Sequence, residues 1–418
     1  MTKTLTALAL VITLNLSAQS KKEHLQENRY DLLTNEFNFP QADFKIIGFG
    51  AYHGSAKTEI TEIALLQSFT KTGSISYYLP ETDFAIAHYF NSYLASGDTV
   101  LLKDLVTHYG VRVPQDKTVE TYNKWTALKQ LNDQLPAEDK LTVVGIDLIV
   151  TYKYTCKLLL ELIDRQVVES PALDRVANML EADTTDYSPY YDSDSKAILR
   201  AFVATYEATP DDFSKGINDP FIFDHLIRNL KVTFEVFSSK RGETIYDNYV
   251  GLSDLYDFKN KPQFARFGFF HLEKDREGEK GNASFFTMLI ENGIYAREEV
   301  ISIIGYLTKS RVLWEVEYDD KGYKTHITEG GFCIGDYRKE YFLGIKNLKK
   351  TRISDITLFK LNGQGTPYAN GIPDLIEVVM KDEASNGDDV KGKSTTAFID
   401  YAVLISNSKA STPIEKMK

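Results

Sequence analysis

Phe44-Lys-Ile-Ile-Gly-Phe-Gly-Ala-Tyr-His-Gly54 is the stretch on which the fold turns. Its first six residues are mostly apolar and run into a glycine, the pattern of a short strand buried on both faces. A helical rhythm follows from Glu59 to Phe69, with Ile60, Ile63, Ala64 and Leu66 at helix spacing. Ser74 to Leu79 then reads as a strand, Asp83 to Leu94 as an amphipathic helix, and residues 118–134 as a further helix carrying Trp125. Leu141 to Ile146 is a third strand and Tyr152 to Ile163 the helix after it. Strands alternating with helices predict an α/β protein with a mostly parallel central sheet flanked by helices.

Working outward, residues 165–240 are acidic, rich in Tyr and Asp, and helical in pattern, with Ser188 to Ser195 as a loop. No Pro/Gly/Ser linker flanks this stretch. It is therefore read as a helical insertion within a single domain spanning 19–418. Alternation resumes with a helix from Arg241 to Leu255 and a strand from Ala265 to Phe270. Arg311 to Tyr318, Ile353 to Leu361 and Ala397 to Ser406 are further strands, Lys381 to Ser394 is a charged surface loop, and residues 20–40 form a polar lead-in arm. The first 18 residues have the pattern of a secretory signal: Lys3, the apolar run Leu5 to Leu16, and Ser17-Ala18-Gln19 for cleavage. That run is shorter than the roughly 20 residues a membrane-spanning helix needs. No other segment is apolar enough, so the mature chain is expected to begin near Gln19, to lack a membrane span, and to be periplasmic or secreted.

A formal net charge of −11 argues against non-specific binding to nucleic acid or an anionic membrane. Cys156 and Cys333, far apart in the chain, are read as buried small residues, though an oxidising compartment would permit their pairing. There is no Gly-x-Ser-x-Gly elbow, no His-Glu-x-x-His zinc motif, no phosphate-binding loop and no dinucleotide fingerprint.

Chemistry is expected at the strand ends. His53 follows the first strand, Glu81 the second, Asp147 the third and His271 the late one, and open α/β sheets bind ligands outside the carboxyl ends of their strands. Both histidines close a Gly-x-x-His run, Gly50 to His53 and Gly268 to His271, where glycine permits a tight turn or a close approach. Two histidines and a carboxylate could hold a divalent metal, or one histidine could act as general base on a water that the carboxylate orients. Asp83 and Asp147 are read as helix caps. Glu81 has a competing reading as a carboxylate favoured by the dipole of the following helix. His88, His108, His225 and His326 are read as structural.

Gly50-Ala-Tyr-His-Gly-Ser55, followed by a glutamate-containing helix and Tyr78-Leu-Pro-Glu-Thr-Asp-Phe84, resembles the opening of erythromycin esterase-like proteins. In order, Glu120 to Asn132 with Trp125, Val144-Gly-Ile-Asp147, the helix from Arg241 to Asn248, Phe398-Ile-Asp-Tyr401 and Ser408 to Pro413 are similar to later segments of that family. The paired Gly-x-x-His runs also resemble the wider group of ChaN-like and TraB/Tiki-type proteins. The first resemblance implies ester hydrolysis by His-activated water. The others imply haem or iron binding, or a metal-dependent peptidase. Three positions depart from the esterase pattern: Gly50 stands where the family has glutamate, Gly268 where it has a first histidine, and Ala64 or Glu62 where it has an arginine.

The reading is therefore an exported hydrolase of an ester or amide bond in a small-molecule substrate. His53 activates water, Glu81 and His271 orient it or hold a divalent metal, and Arg241 anchors an anionic group. The alternative is a non-catalytic protein that binds a metal, haem or small ligand on the same scaffold.

Overall fold

The structure is a computed structural model that describes residues 19–417 except 35, 41–42, 72–74, 112, 236–239, 280, 320–321, 329–334 and 382–383. The expected leader and Cys333 lie outside the described residues. Cys156 is a free, fully buried thiol.

In chain order the strands are β1 (Arg29–Asp31), β2 (Ile46–Gly50), β3 (Tyr77–Pro80), β4 (Thr142–Val143), β5 (Gln263–Phe267) and β6 (Val300–Thr308). They are followed by β7 (Val312–Asp319), β8 (Gly322–Thr328), β9 (Asp336–Tyr337), β10 (Glu340–Phe342), β11 (Ile356–Lys360), β12 (Val378–Met380) and β13 (Tyr401–Ser406). Eight of them form one sheet in the order β1-β11-β13-β6-β2-β5-β3-β4. From β13 to β4 every neighbouring pair is parallel, and β11 and β1 add antiparallel strands at one edge. β7 and β8 form a separate antiparallel hairpin, and β9, β10 and β12 a small sheet. The fold is the predicted α/β architecture, and Val300-Ile-Ser-Ile-Ile-Gly-Tyr-Leu-Thr308 is buried along its whole length, as a parallel strand covered on both faces requires.

Helices Ala56–Thr70, Phe84–Ser96, Val119–Asp133, Tyr152–Leu162 and Arg241–Tyr256 lie close to where the sequence placed them. Asp83 caps the second, accepting from the Ile86 N–H at 2.9 Å. The stretch from about 165 to 240 contains helices Pro171–Ala182, Asp194–Ala208, Pro210–Ser214 and Pro220–Glu235.

Several boundaries differ. The third expected strand shrinks to Thr142–Val143 because the chain turns at Gly145, where a Cβ would lie 2.0 Å from the Asp83 carbonyl. The Asn91 side chain closes that edge, accepting from the Val143 N–H and donating to its C=O, both at 2.8 Å. The late strand ends at Phe267, and Phe269–Leu272 folds into a 3-10 turn. The supposed arm at 20–40 is integrated, with helix Lys21–Glu27 closed by a Ser20/Glu23 capping box and β1 paired to β11. Within 381–394, Gly387–Val390 is a helical turn whose Val390 is fully buried, and Lys393 pairs with Asp275 at 3.0 Å. That stretch is anchored, not a plain surface loop. The longest strand of the sheet, β6, was absent from the sequence reading.

Candidate active site

Four adjacent strands, β2, β5, β3 and β4, deliver polar residues at their carboxyl ends, where the chain order reverses direction across the sheet. After β2 the backbone turns at Gly54, whose φ is +75° and whose Cβ would lie 2.1 Å from the Leu313 carbonyl oxygen. This turn sets His53 over the sheet edge, and the Leu313 N–H, donating to the Gly54 carbonyl at 2.8 Å, ties it to β7. Glu81 follows Pro80 directly. After β5 the chain doubles back across β2: a Cβ on Gly50 would stand 3.2 Å from Phe269 Cα, and one on Gly48 2.9 Å from the Leu272 side chain. That crossing segment carries His271. Arg241 is the first residue of helix Arg241–Tyr256, whose start reaches the same edge.

The four predicted residues converge. His53 Nε2 lies 3.5 Å from Glu81 Oε2. Glu81 Oε2 accepts the Gly268 N–H at 2.7 Å, and Oε1 accepts from Arg241 Nη2. Arg241 Nη1 lies 3.1 Å from His271 Nε2. Because a guanidinium can only donate, His271 Nε2 is the acceptor in this contact.

Two carboxylates complete the set. Asp116, from the short 3-10 turn Pro114–Asp116, holds His53 Nδ1 at 2.9 and 3.1 Å. No strand end announces this residue, and the sequence reading missed it. Asp147 was read as a cap, but Thr151 caps helix Tyr152–Leu162. Asp147 instead takes the Arg241 fork, Nε to Oδ1 at 3.0 Å and Nη2 to Oδ2 at 2.6 Å. Asp83 caps the helix that follows Glu81.

Burial alone would depress the basicity of His53, but Asp116 first and Glu81 second outweigh it and push its pKa up to about 9. Burial would raise the Glu81 carboxyl, yet Arg241 and His53 hold it well below the ordinary carboxylate range. His53 and Arg241 remain 19 % and 24 % exposed while Glu81 and Asp147 are buried, so the histidine and the guanidinium form the solvent face of the site. Tyr52 stacks on Trp314 of β7 at 5.3 Å, and Phe270 is exposed beside His271, adding an apolar rim.

Behind this layer lies a second buried charge network. Lys124 Nζ bridges Glu59 and Glu62 at 2.8 and 3.1 Å, Tyr78 donates to Glu62, and Arg266 Nε approaches Glu62 at 3.3 Å. Glu62 is one of the positions where the family pattern has an arginine. Here a guanidinium reaches it from β5 instead.

Among the described residues no group of three or more His, Cys, Asp and Glu is placed to hold a metal ion. The guanidinium of Arg241 lies between Glu81 and His271, so these side chains do not fit a shared metal. Arg241 also makes four hydrogen bonds within the protein, leaving at most one of its five N–H groups for a ligand. Among the described residues no helix is long and apolar enough to cross a membrane.

No protein-family model matches this chain, and no curated protein does. Solved structures do. A succinoglycan biosynthesis protein aligns with a TM-score of 0.61 at 13% identity, over 94% of this chain and 97% of that one. A Bacillus cereus protein aligns with a TM-score of 0.58 at 13% identity, over 94% and 98%. An erythromycin esterase variant in its open conformation aligns with a TM-score of 0.56 at 12% identity, over 88% and 92%. The fold therefore resembles those of these three structures over most of each chain.

Proposed function

We propose that this protein is an exported hydrolase that cleaves an ester or amide bond with water activated by His53. The observation that carries the reading is the Asp116–His53–Glu81 line meeting the Arg241–His271 pair at the carboxyl edge of four parallel strands. Asp116 fixes the imidazole through Nδ1 and turns Nε2 toward Glu81 and solvent. Nε2 takes a proton from water as the water oxygen bonds to the carbonyl carbon. When the tetrahedral intermediate collapses, the C–O or C–N bond breaks and the same proton passes to the leaving group. Arg241, with His271 beside it, presents positive charge and its one remaining N–H on the side where negative charge develops. The crowded hydrogen bonding of Arg241 does not favour a role as anchor for an anionic substrate group.

Only neutral His53 can accept the proton. With a pKa near 9, the rate at subsaturating substrate should climb about tenfold per pH unit from 6 to 8 and level off near 9. The test is turnover of a panel of small esters and amides by the mature protein beside His53→Ala. Activity abolished in the variant, with the rising profile in wild type and no loss on chelation, supports the reading. No turnover above the variant on any substrate would reject catalysis in favour of ligand binding. Export is tested separately: the N-terminus of protein recovered from the extracytoplasmic fraction should lie near Gln19.

A further inference from the structure

Two helices lead away from the site in the same way. His53 stands three residues before helix Ala56–Thr70, and Asp116 three residues before helix Val119–Asp133. Asp116 is tied to the start of its helix: the Thr118 N–H donates to the Asp116 carbonyl at 2.8 Å, and the Thr118 side chain accepts from the Thr121 N–H at 3.2 Å. The spacing of the two helix starts therefore governs how the Asp116 carboxylate meets His53 Nδ1, at 2.9 Å.

Lys124, on the second helix, spans that spacing from inside. Its ammonium lies 2.8 Å from Glu59 and 3.1 Å from Glu62, both on the first helix, and Glu59 sits in its first turn. Arg266 Nε stands 3.3 Å from the same Glu62 oxygen. Arg266 is in register with Phe49 and Pro80, the residues directly before Gly50 and Glu81. Two carboxylates thus balance two cations with little access to water, the Lys124, Glu59 and Glu62 side chains being 6 %, 7 % and 0 % exposed. A buried ion pair adds little net stability over apolar residues of equal volume, but it does impose a geometry. Among the described residues neither Lys124 nor Glu59 hydrogen-bonds to His53, Glu81, Arg241 or His271. An effect of the clamp on the reaction must pass through Asp116.

We propose that Lys124 is a positioning residue of the hydrolytic site: by clamping Glu59 and Glu62 across the two helices, it holds Asp116 against His53. This rests on His53 being the base, but the clamp can be read without turnover. Two carboxylates, Asp116 and Glu81, bear on the His53 ring and set its titration. Glu59 also feels Asp116: burial raises its carboxyl, Lys124 and Arg266 oppose the rise, and Glu62 and Asp116 add to it. Removing Lys124 alone would strand those carboxylates, so the informative variant removes one charge of each sign.

Glu59→Gln/Lys124→Met does this and leaves Glu62 with Tyr78 and Arg266. In NMR titration of the mature protein, the His53 ring pKa should fall from about 9 by roughly one unit or more as Asp116 drifts from Nδ1. The plateau of the pH–rate profile should move down by the same step, with KM unchanged. Lys124→Arg can still bridge both glutamates and should titrate as wild type. Lys274→Met/Asp400→Leu removes a buried ion pair outside the clamp and should also titrate as wild type, which separates positioning from general loss of stability. If the first variant does not fold, Glu59→Leu/Lys124→Met makes the same removal with apolar replacements. A folded clamp variant whose ring still titrates near 9, a fall of equal size in Lys274→Met/Asp400→Leu, or a fall in Lys124→Arg as large as in the clamp variant would each overturn the proposal. Turnover is scored apart from the titration, so a wild type that cleaves nothing rejects hydrolysis while the clamp is still judged on the ring.

Discussion

His53 shows how much of a site one residue leaves to its neighbours. Its place after the first strand, and those of Glu81 and His271 after others, were legible because strand ends in a parallel sheet share one edge. Asp116 was not, because it comes from a turn between helices and meets His53 only through tertiary packing. Asp147 misled because an acid a few residues before a helix has the pattern of a cap, and only the arrival of Arg241 distinguishes the two. The role of Asp116 is open to direct test. In Asp116→Asn the carboxylate charge is gone, so the His53 pKa should fall from about 9 toward or below its ordinary value near 6.5, read by NMR titration of the ring. The plateau of the pH–rate profile should move down with it. The stability sign follows from linkage: a raised folded-state pKa stabilises below pH 6.5 and that contribution disappears as pH rises through 9. The urea midpoint of wild type should therefore decline between those values, and that of Asp116→Asn should stay flatter. A wild-type ring titrating near 6.5 would remove both the pH dependence and the dyad.

At the scale of elements, the two glycines that depart from the family pattern are not equivalent. Gly50 is filled space: a Cβ there stands 2.8 Å from Ile304 Cδ1 and 3.2 Å from Phe269 Cα, so any side chain presses on the turn that carries His271. Gly268 is open: its φ of −58° and ψ of 155° suit any residue, and a Cβ would meet nothing closer than 3.8 Å, at Glu81 Oε2 and His271 Cδ2. Gly50→Glu should thus cost about 1–3 kcal/mol by overpacking and lower turnover through the displaced turn. Gly268→Ala should leave stability unchanged or raise it by up to about 1 kcal/mol through a less flexible unfolded chain. Urea unfolding of the two variants separates the cases, and equal effects would refute the packing argument. The same crossing of Phe269–Leu272 over β2 explains why the predicted strand ran too long, since Phe269 and Phe270 have strand-like character but lie in a 3-10 turn. β6 escaped notice for a different reason. It is buried from end to end but its exit carries Lys309, with no histidine or carboxylate there to mark it as part of the edge.

For the molecule as a whole, the parallel register that aligns the strand ends on one edge must be held by contacts between the strands. Lys274 and Asp400 do this from positions almost fully buried, at 2.9 and 3.0 Å. Asp400 also accepts from the Ser302 N–H at 2.9 Å and from Asn362 at 3.1 Å, so one carboxylate ties the segment after β5 to β6, to the start of β13 and to the chain after β11. Removing one partner strands the other charge in a dry interior, and Asp400→Ala should cost about 3–5 kcal/mol. Replacing both, Lys274→Met/Asp400→Leu, removes the stranded charge and should recover most of that loss, although the Ser302 N–H then lacks its acceptor and a deficit of about 1–3 kcal/mol remains. Because neither side chain is among the site residues, either variant kept well below its unfolding midpoint should hold the wild-type KM for any ester it cleaves. A double variant no more stable than the single one would mean that the pair contributes through its hydrogen-bonded geometry more than through compensated charge. These strands would then be pinned by the polar contacts of Asp400, not by apolar packing around it.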